Sequence, residues 1–259
     1  MSSIHSDQQF DKIRVPSAYQ LVADAIEKEI IAGRLSPGDA IGTEAELVRQ
    51  FGVNRSTVRE GIRVLEQSGL VRRESGRKLF VCFPQYRTLS TRMSRALILH
   101  EVTFLELFHT AVVLEMSALE AAIQHADEND LAALNDVQLK VEASVSDPAR
   151  LAKADAEFHS LIAHIARNRI LELAREPAAL LFTPTAELIF REIPEAASRT
   201  VVAHRQIIDA IAKRDCDLAR TWMRRHINDW RIGFERTGQK MDEPVGPLFA
   251  HHASVEAFF

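Results

Sequence analysis

Apolar positions follow one order before residue 90 and another after it. In the front part, Leu21, Val22, Ala25, Ile26 and Ile30 recur at helical spacing. Pro16-Ser17 provides a start signal for that helix and Gly33 ends it. SPGDA reads as a turn, and Thr43 with Glu46 has the spacing of a capping box. That box opens a short helix bearing Leu47, Val48 and Phe51. In FGVNRSTVREGIRVLEQSGLV, Gly52 permits a tight turn and Asn54 caps a third helix. Val58, Ile62 and Leu65 give this helix one buried face, and Gly69 stops it. LVRRESGRKLFV then reads as two strands around a Ser75-Gly76 turn. Helix, turn, helix and basic hairpin in this order predict a winged helix.

From residue 101 the apolar period stays near 3.6 and glycine nearly vanishes until residue 233. Helices are predicted at about 101–125, 129–145, 149–167, 169–191, 196–213 and 215–237. Ser146-Asp147-Pro148 is a start signal, while Pro177 and Pro184 predict a kinked or split fourth helix. The fold class is therefore mainly α, a winged helix-turn-helix followed by an all-α bundle. The expected boundaries are a DNA-binding domain at 10–85, a linker at 86–100, a helical domain at 101–237 and a tail at 238–259.

Composition adds limits. A chain of 259 residues accommodates two ordinary domains, and no apolar run reaches membrane-spanning length. No secretory signal is visible at MSSIHSDQQFDK, and two lone cysteines, Cys82 and Cys216, fit a reducing cytoplasm. The net charge of −4 is unevenly spread. Residues 10–90 hold 13 Lys+Arg against 10 Asp+Glu, whereas 91–259 hold 19 against 25. A basic front and an acidic rear suit a polyanion-binding module joined to something else.

Arg55, Arg59 and Arg63 lie four residues apart and form a stripe on the third helix. Such stripes are commonly solvated surface. Here the stripe begins at the N-terminal end of the second helix of a helix-turn-helix, where Ser56 and Thr57 join it. A hairpin with Arg72, Arg73, Arg77 and Lys78 follows, and the set points to sequence-directed DNA binding. The stretch GRLSPGDAIGTEAELVRQFGVNRSTVREGIRVLEQSGLV resembles the DNA-binding domain of the GntR family of bacterial transcription regulators. That resemblance implies operator contacts from Asn54, Arg55, Ser56, Thr57 and Arg59, with a wing at Gly76, Arg77 and Lys78. Ala45 stands where many members have arginine, and Lys78 where a second wing glycine is usual.

In the rear part, DAEFH puts Asp155 and His159 on one helical face beside Phe158, Leu151 and Ile162. His204 aligns with Val201, Ile207, Ile208 and Ile211, and His226 with Met223, Ile227 and Trp230. A lone inward histidine is usually a satisfied core residue. Four nitrogen and oxygen donors turned inward from three helices instead suit a shared divalent cation, zinc or nickel above all. The region from about 100 to 235 resembles the FCD-type effector domain of FadR-like GntR regulators, a six- or seven-helix bundle. Many members bind a metal through one aspartate and three histidines, and that motif falls on Asp155, His159, His204 and His226. The resemblance also implies a small carboxylate effector at the metal. Ala111, four residues before Glu115, replaces an arginine that usually reaches the effector, which weighs against a standard carboxylate.

The sequence thus predicts a cytoplasmic, homodimeric, ligand-responsive regulator, a repressor of a double-stranded DNA operator, and no enzyme. Two alternatives stand beside it: a metal-dependent hydrolase with an appended DNA-binding domain, and a regulator whose metal is purely structural.

Overall fold

The computed structural model describes residues 16–74, 78–84 and 86–251, which form two compact units divided between residues 85 and 86. In the first unit, α1 (Ala18–Ile31), α2 (Glu44–Phe51) and α3 (Arg55–Ser68) surround a core of Val22, Ile26, Leu47, Val58, Ile62 and Leu65. Thr43 and Glu46 form the expected capping box of α2, and Gly52 closes that helix at φ 65°. Left-handed backbone at this position favours glycine, so the turn before α3 is written into the sequence.

The sheet holds one strand more than the pattern predicted. β1 (Ala40–Thr43), read from sequence as the approach to a helix, pairs antiparallel with β3 (Lys78–Val81). β3 also pairs with β2 (Val71–Arg73), giving the order β1-β3-β2. Four residues carry too little alternation to be read as a strand without knowing their partner. The wing residues Gly76 and Arg77 lie outside the described residues.

The second unit contains α4 (Tyr86–Leu99), α5 (Phe104–His125), α6 (Glu128–Ala143), α7 (Pro148–Ile165), α8 (Arg169–Glu192), α9 (Glu195–Ala212), α10 (Cys216–Arg236) and α11 (Gly246–His251). The six long helices from α5 to α10 fall where the apolar period put them. Asp147 caps α7 with Pro148 in its first turn, as read. α8 is not split, and continues as one helix through Pro177 and Pro184.

Two segments differ from expectation. Residues 86–100, expected to be a linker, form α4, which packs on α8. Its Ser90 and Ser94 are buried, and Ser94 Oγ lies 2.7 Å from the Pro177 carbonyl. Small polar residues make the contact along much of α4, with Leu97 and Ile98 packing only at its C-terminal end, so no continuous apolar stripe marks it and the segment looked like a connector. The expected tail from 238 onward packs on its own bundle as far as it is described. Met241, Val245 and Phe249 are buried, and Val245 N–H donates to the Val102 carbonyl at 2.9 Å. The segment is held by backbone pairing with the start of α5, and only its last residues turn into the short α11, so its apolar residues show no sustained helical period.

One glycine fixes the closeness of α1 and α3. A Cβ at Gly61 would meet the Tyr19 carbonyl oxygen at 2.9 Å and Val22 Cγ1 at 3.0 Å. Gly61→Ala should therefore force the two helices apart, costing about 1–3 kcal/mol, the usual range for overpacking. Urea denaturation followed by circular dichroism checks this. An unshifted transition would mean that the helices accommodate the methyl freely.

Candidate functional sites

The first candidate is the exposed face of α3. Asn54 stands at its N-cap with extended backbone, and its Oδ1 accepts from Thr57 N–H at 2.8 Å and Ser56 Oγ at 2.7 Å. The side-chain amide of Asn54 keeps its NH₂ donors for another partner. Arg55, Ser56 and Arg59 are exposed and Thr57 is half-buried. Arg55 Nε lies 3.6 Å from Glu44, a loose and solvated pair. Arg59 makes no ion pair with any described residue. Arg63 is only 3.8 Å from Glu60, one turn away. Lys78 opens β3, exposed.

The wing arginines behave differently from one another. Arg73 was read as part of the basic wing, yet Nη1 sits 3.0 Å from Glu44 and Nε 3.4 Å from Glu66. It ties the wing to α2 and α3. Arg72 pairs with Glu74 and lies over the Phe80 ring, 5.8 Å from its centroid. The free positive charge thus concentrates at the N-terminal half of α3, where helix backbone N–H groups also favour phosphate.

The second candidate lies inside the bundle. Asp155 and His159 extend from one face of α7, His204 from α9 and His226 from α10, as their apolar neighbours required. His204 is fully buried and His159 and His226 nearly so. One ligand atom from each of the four residues lies within 4.8 Å of the other three. His159 Nε2 is 3.0 Å and His204 Nε2 3.3 Å from His226 Nε2. His204 Nε2 is 3.2 Å and His226 Nε2 3.5 Å from Asp155 Oδ1. Ligands bound about 2.0–2.2 Å from one cation stand roughly 3–3.5 Å apart, so these spacings fit a coordination sphere.

Hydrogen bonding supports the same fit. His159 Nδ1 lies 2.9 Å from Glu115 Oε2. An ionised carboxylate only accepts, so Nδ1 carries the proton and Nε2 turns its lone pair to the centre. Among the described residues, Asp155 Oδ1 is buried with no hydrogen bond that satisfies it, despite the nearby imidazoles. Burial is costly for an oxygen left in this state, and a cation would remove that cost. His204 Nδ1 likewise has no partner among the described residues, and the Phe158 ring, stacked 3.7 Å away, fixes the imidazole plane instead. Burial pushes the His204 imidazole down to about 3, which keeps it neutral and able to ligate. Burial would raise the Asp155 carboxyl, but His204 and His226 more than offset this and hold it well below the usual carboxylate range. The cluster could hold a metal ion.

Sequence reading missed the group that stabilises this centre. Arg175 on α8 is buried, and its Nε donates to Glu115 Oε1 at 2.7 Å while Nη1 donates to Ser160 Oγ at 3.0 Å. Burial alone would raise the Glu115 carboxyl, but Arg175 and His159 hold it at about 2. Glu115 therefore remains an anion, and both of its oxygens are committed. The signal was faint. Glu115 sits in the apolar run AVVLEMSALEAA, and nothing in LAREPAALL identifies Arg175 as its partner.

A cavity adjoins the cluster. Asp155, His159 and His226 line one side, with Arg175, Arg199 and Ala111 also on its walls. The centre of a water molecule can occupy about 110 Å³ of it, well above the roughly 10–15 Å³ that one water needs. Glu157, the nearest further carboxylate in sequence, is exposed and paired with Lys140 at 2.6 Å, so it plays no part at the centre.

A winged helix with an exposed, loosely paired basic recognition face, and a helical bundle with a buried polar cluster beside a cavity, together define a DNA-binding regulator with an effector-type domain. Comparison with known proteins agrees. Residues 18–81 match the bacterial regulatory proteins of the gntR family, and residues 106–229 match the FCD domain. The chain is a GntR-family transcription regulator carrying an FCD domain C-terminal to its DNA-binding unit. It is 27% identical over 226 residues to the HTH-type transcriptional repressor NanR of Salmonella schwarzengrund, covering 85% of this chain and 86% of that one. The NanR of Salmonella typhi matches with the same figures. Among solved structures, Streptococcus agalactiae GntR matches with a TM-score of 0.59 at 23% identity, covering 83% of this chain and 99% of that one. These relatives are transcription regulators rather than enzymes, and the hydrolase reading is set aside. Among the described residues, no helix is long and apolar enough to cross a membrane.

Glu115→Gln should weaken divalent-metal affinity by about 10–100-fold, because outer partners orient the ligating imidazole. Competition with a chromophoric chelator measures it, and an unaltered affinity would show that His159 needs no orienting carboxylate. A His159→Ala/His226→Ala double variant should purify with its metal content sharply reduced by elemental analysis. Full retention would mean that other residues hold the ion.

Proposed function

We propose that this protein is a cytoplasmic, homodimeric repressor whose DNA binding is relieved by a small organic acid bound beside a divalent metal ion. The observation that carries the reading is the convergence of Asp155, His159, His204 and His226, with an orphaned carboxylate oxygen at their centre. Three imidazoles and one carboxylate suit zinc or nickel. When bound, the ion would supply a fixed positive charge and open coordination positions for an anionic oxygen.

The protein's own groups do the rest. Glu115 holds the His159 tautomer, Phe158 holds His204, and Arg175 holds Glu115. Arg175 and the cluster both face the cavity, so a carboxylate entering it would meet a guanidinium as well as the ion. Regulation requires that this acid bind one arrangement of the dimer more tightly than the other. At the operator, two copies would address two half-sites. Asn54, Arg55, Ser56, Thr57 and Arg59 would read or clamp the major groove, and Gly76, Arg77 and Lys78 would place the wing. The match to repressors named NanR supports the negative sign of control.

Arg59→Ala should weaken specific operator binding by about 1–3 kcal/mol if the guanidinium makes a bidentate base contact. Fluorescence anisotropy against specific and random duplexes measures it, and equal loss on both would make Arg59 a phosphate contact only. His204→Ala should leave operator binding intact while abolishing the response to effector. If the bundle instead unfolds by circular dichroism, the ion is structural and the sensing reading fails.

A further inference from the structure

Beyond its ion-binding end, the cavity is apolar. Phe182, Ala186, Ile189, Phe190, Ile227 and Trp230 are among its remaining wall residues. The polar atoms these walls do carry are largely spent. Trp230 Nε1–H donates to Thr185 Oγ1 at 2.9 Å, and Thr183 Oγ1 to the Ala179 carbonyl at 3.1 Å. Of the wall hydroxyls, only Thr200 makes no hydrogen bond among the described residues. A guest bearing several hydroxyls would leave most of them unpaired against hydrocarbon, which selects against it.

Charge narrows the choice further. Two guanidiniums, Arg175 and Arg199, face three carboxylates, Glu115, Asp155 and Asp229, around this space. Arg199 is already matched by Asp229, with Nε 3.6 Å from Oδ2. With its imidazoles neutral, the lining therefore carries one surplus negative charge and repels an anion. A divalent cation at the cluster would invert that surplus to one positive charge, which a single carboxylate neutralises. A second carboxylate would leave the site negative again, close to Asp155 and Asp229, in an environment that screens charge poorly.

We infer that the effector is a monocarboxylate with a compact apolar body, aromatic or alicyclic, and that its binding is conditional on the metal. The carboxylate lies toward the cluster and Arg175, and the apolar body lies against Phe182, Phe190 and Trp230. This inference rests on the proposed sensing of an acid at the metal and names the chemical class of that acid. It also separates this chain from any relative whose effector is a polyhydroxylated acid.

Isothermal titration calorimetry on full-length protein loaded with Zn²⁺ tests it, with benzoate, cyclohexanecarboxylate, acetate, succinate and gluconate as probes. Benzoate or cyclohexanecarboxylate should bind tighter than gluconate, and tighter than acetate, by about tenfold or more. Chelation of the metal should abolish binding of both apolar acids. Phe182→Ala should reduce the benzoate-to-acetate affinity ratio about tenfold by removing wall contact without touching a charged group. Tighter binding of gluconate or succinate would overturn the inference while leaving acid sensing in place. Undiminished benzoate binding after chelation would overturn the charge inversion. If none of the five acids binds, the inference and the sensing reading fall together.

Discussion

The second unit depends on how its interior accommodates ionic groups without collapsing. Glu115, Arg175 and His159 lie nearly out of water, where an unpaired charge would cost several kcal/mol. They are tolerated because each satisfies another. Arg175 neutralises Glu115, and Glu115 accepts a hydrogen bond from His159 Nδ1–H on its second oxygen. The imidazole then has only one free nitrogen, and that nitrogen must face His204, His226 and Asp155. The tautomer of one histidine, set from α5 and α8, decides what the whole cluster offers.

That dependence explains why the site is drawn from so many helices. α7 supplies two groups at one-turn spacing, α9 and α10 one each, and α5 and α8 their supports. A movement of any one helix would alter distances at the centre, so the centre is sensitive to the packing of most of the bundle. The adjacent cavity shares walls with the same helices. The cavity and the cluster therefore rest on the same structural supports.

The DNA-binding unit follows a simpler economy. Its arginines divide into those that hold the fold and those left to the solvent. Arg73 is used twice over by Glu44 and Glu66, whereas Arg59 has no ionic partner among the described residues. Sequence spacing alone places both in a basic stretch and cannot separate them. The distinction depends on Glu44 at the start of α2, twenty-nine residues away, coming within reach of the wing.

Much of this protein was legible in the order of its residues. Local signals work where the determining interaction is itself local: the Thr43–Glu46 box, Gly52 with its left-handed backbone, Asp147 before Pro148, and the 3.6-residue period of α5 to α10. The inward aim of Asp155, His159, His204 and His226 was legible too, because a helix carries its neighbours' burial to every residue on the same face. What sequence left open was settled by contacts between distant segments. α4 became part of the bundle through small polar residues together with Leu97 and Ile98, and the chain after residue 238 through its hold on α5. Periodicity records which face of a helix is buried. It holds no information about which other helix that face will meet, and the pairing of Glu115 with Arg175 exists only once the helices have packed.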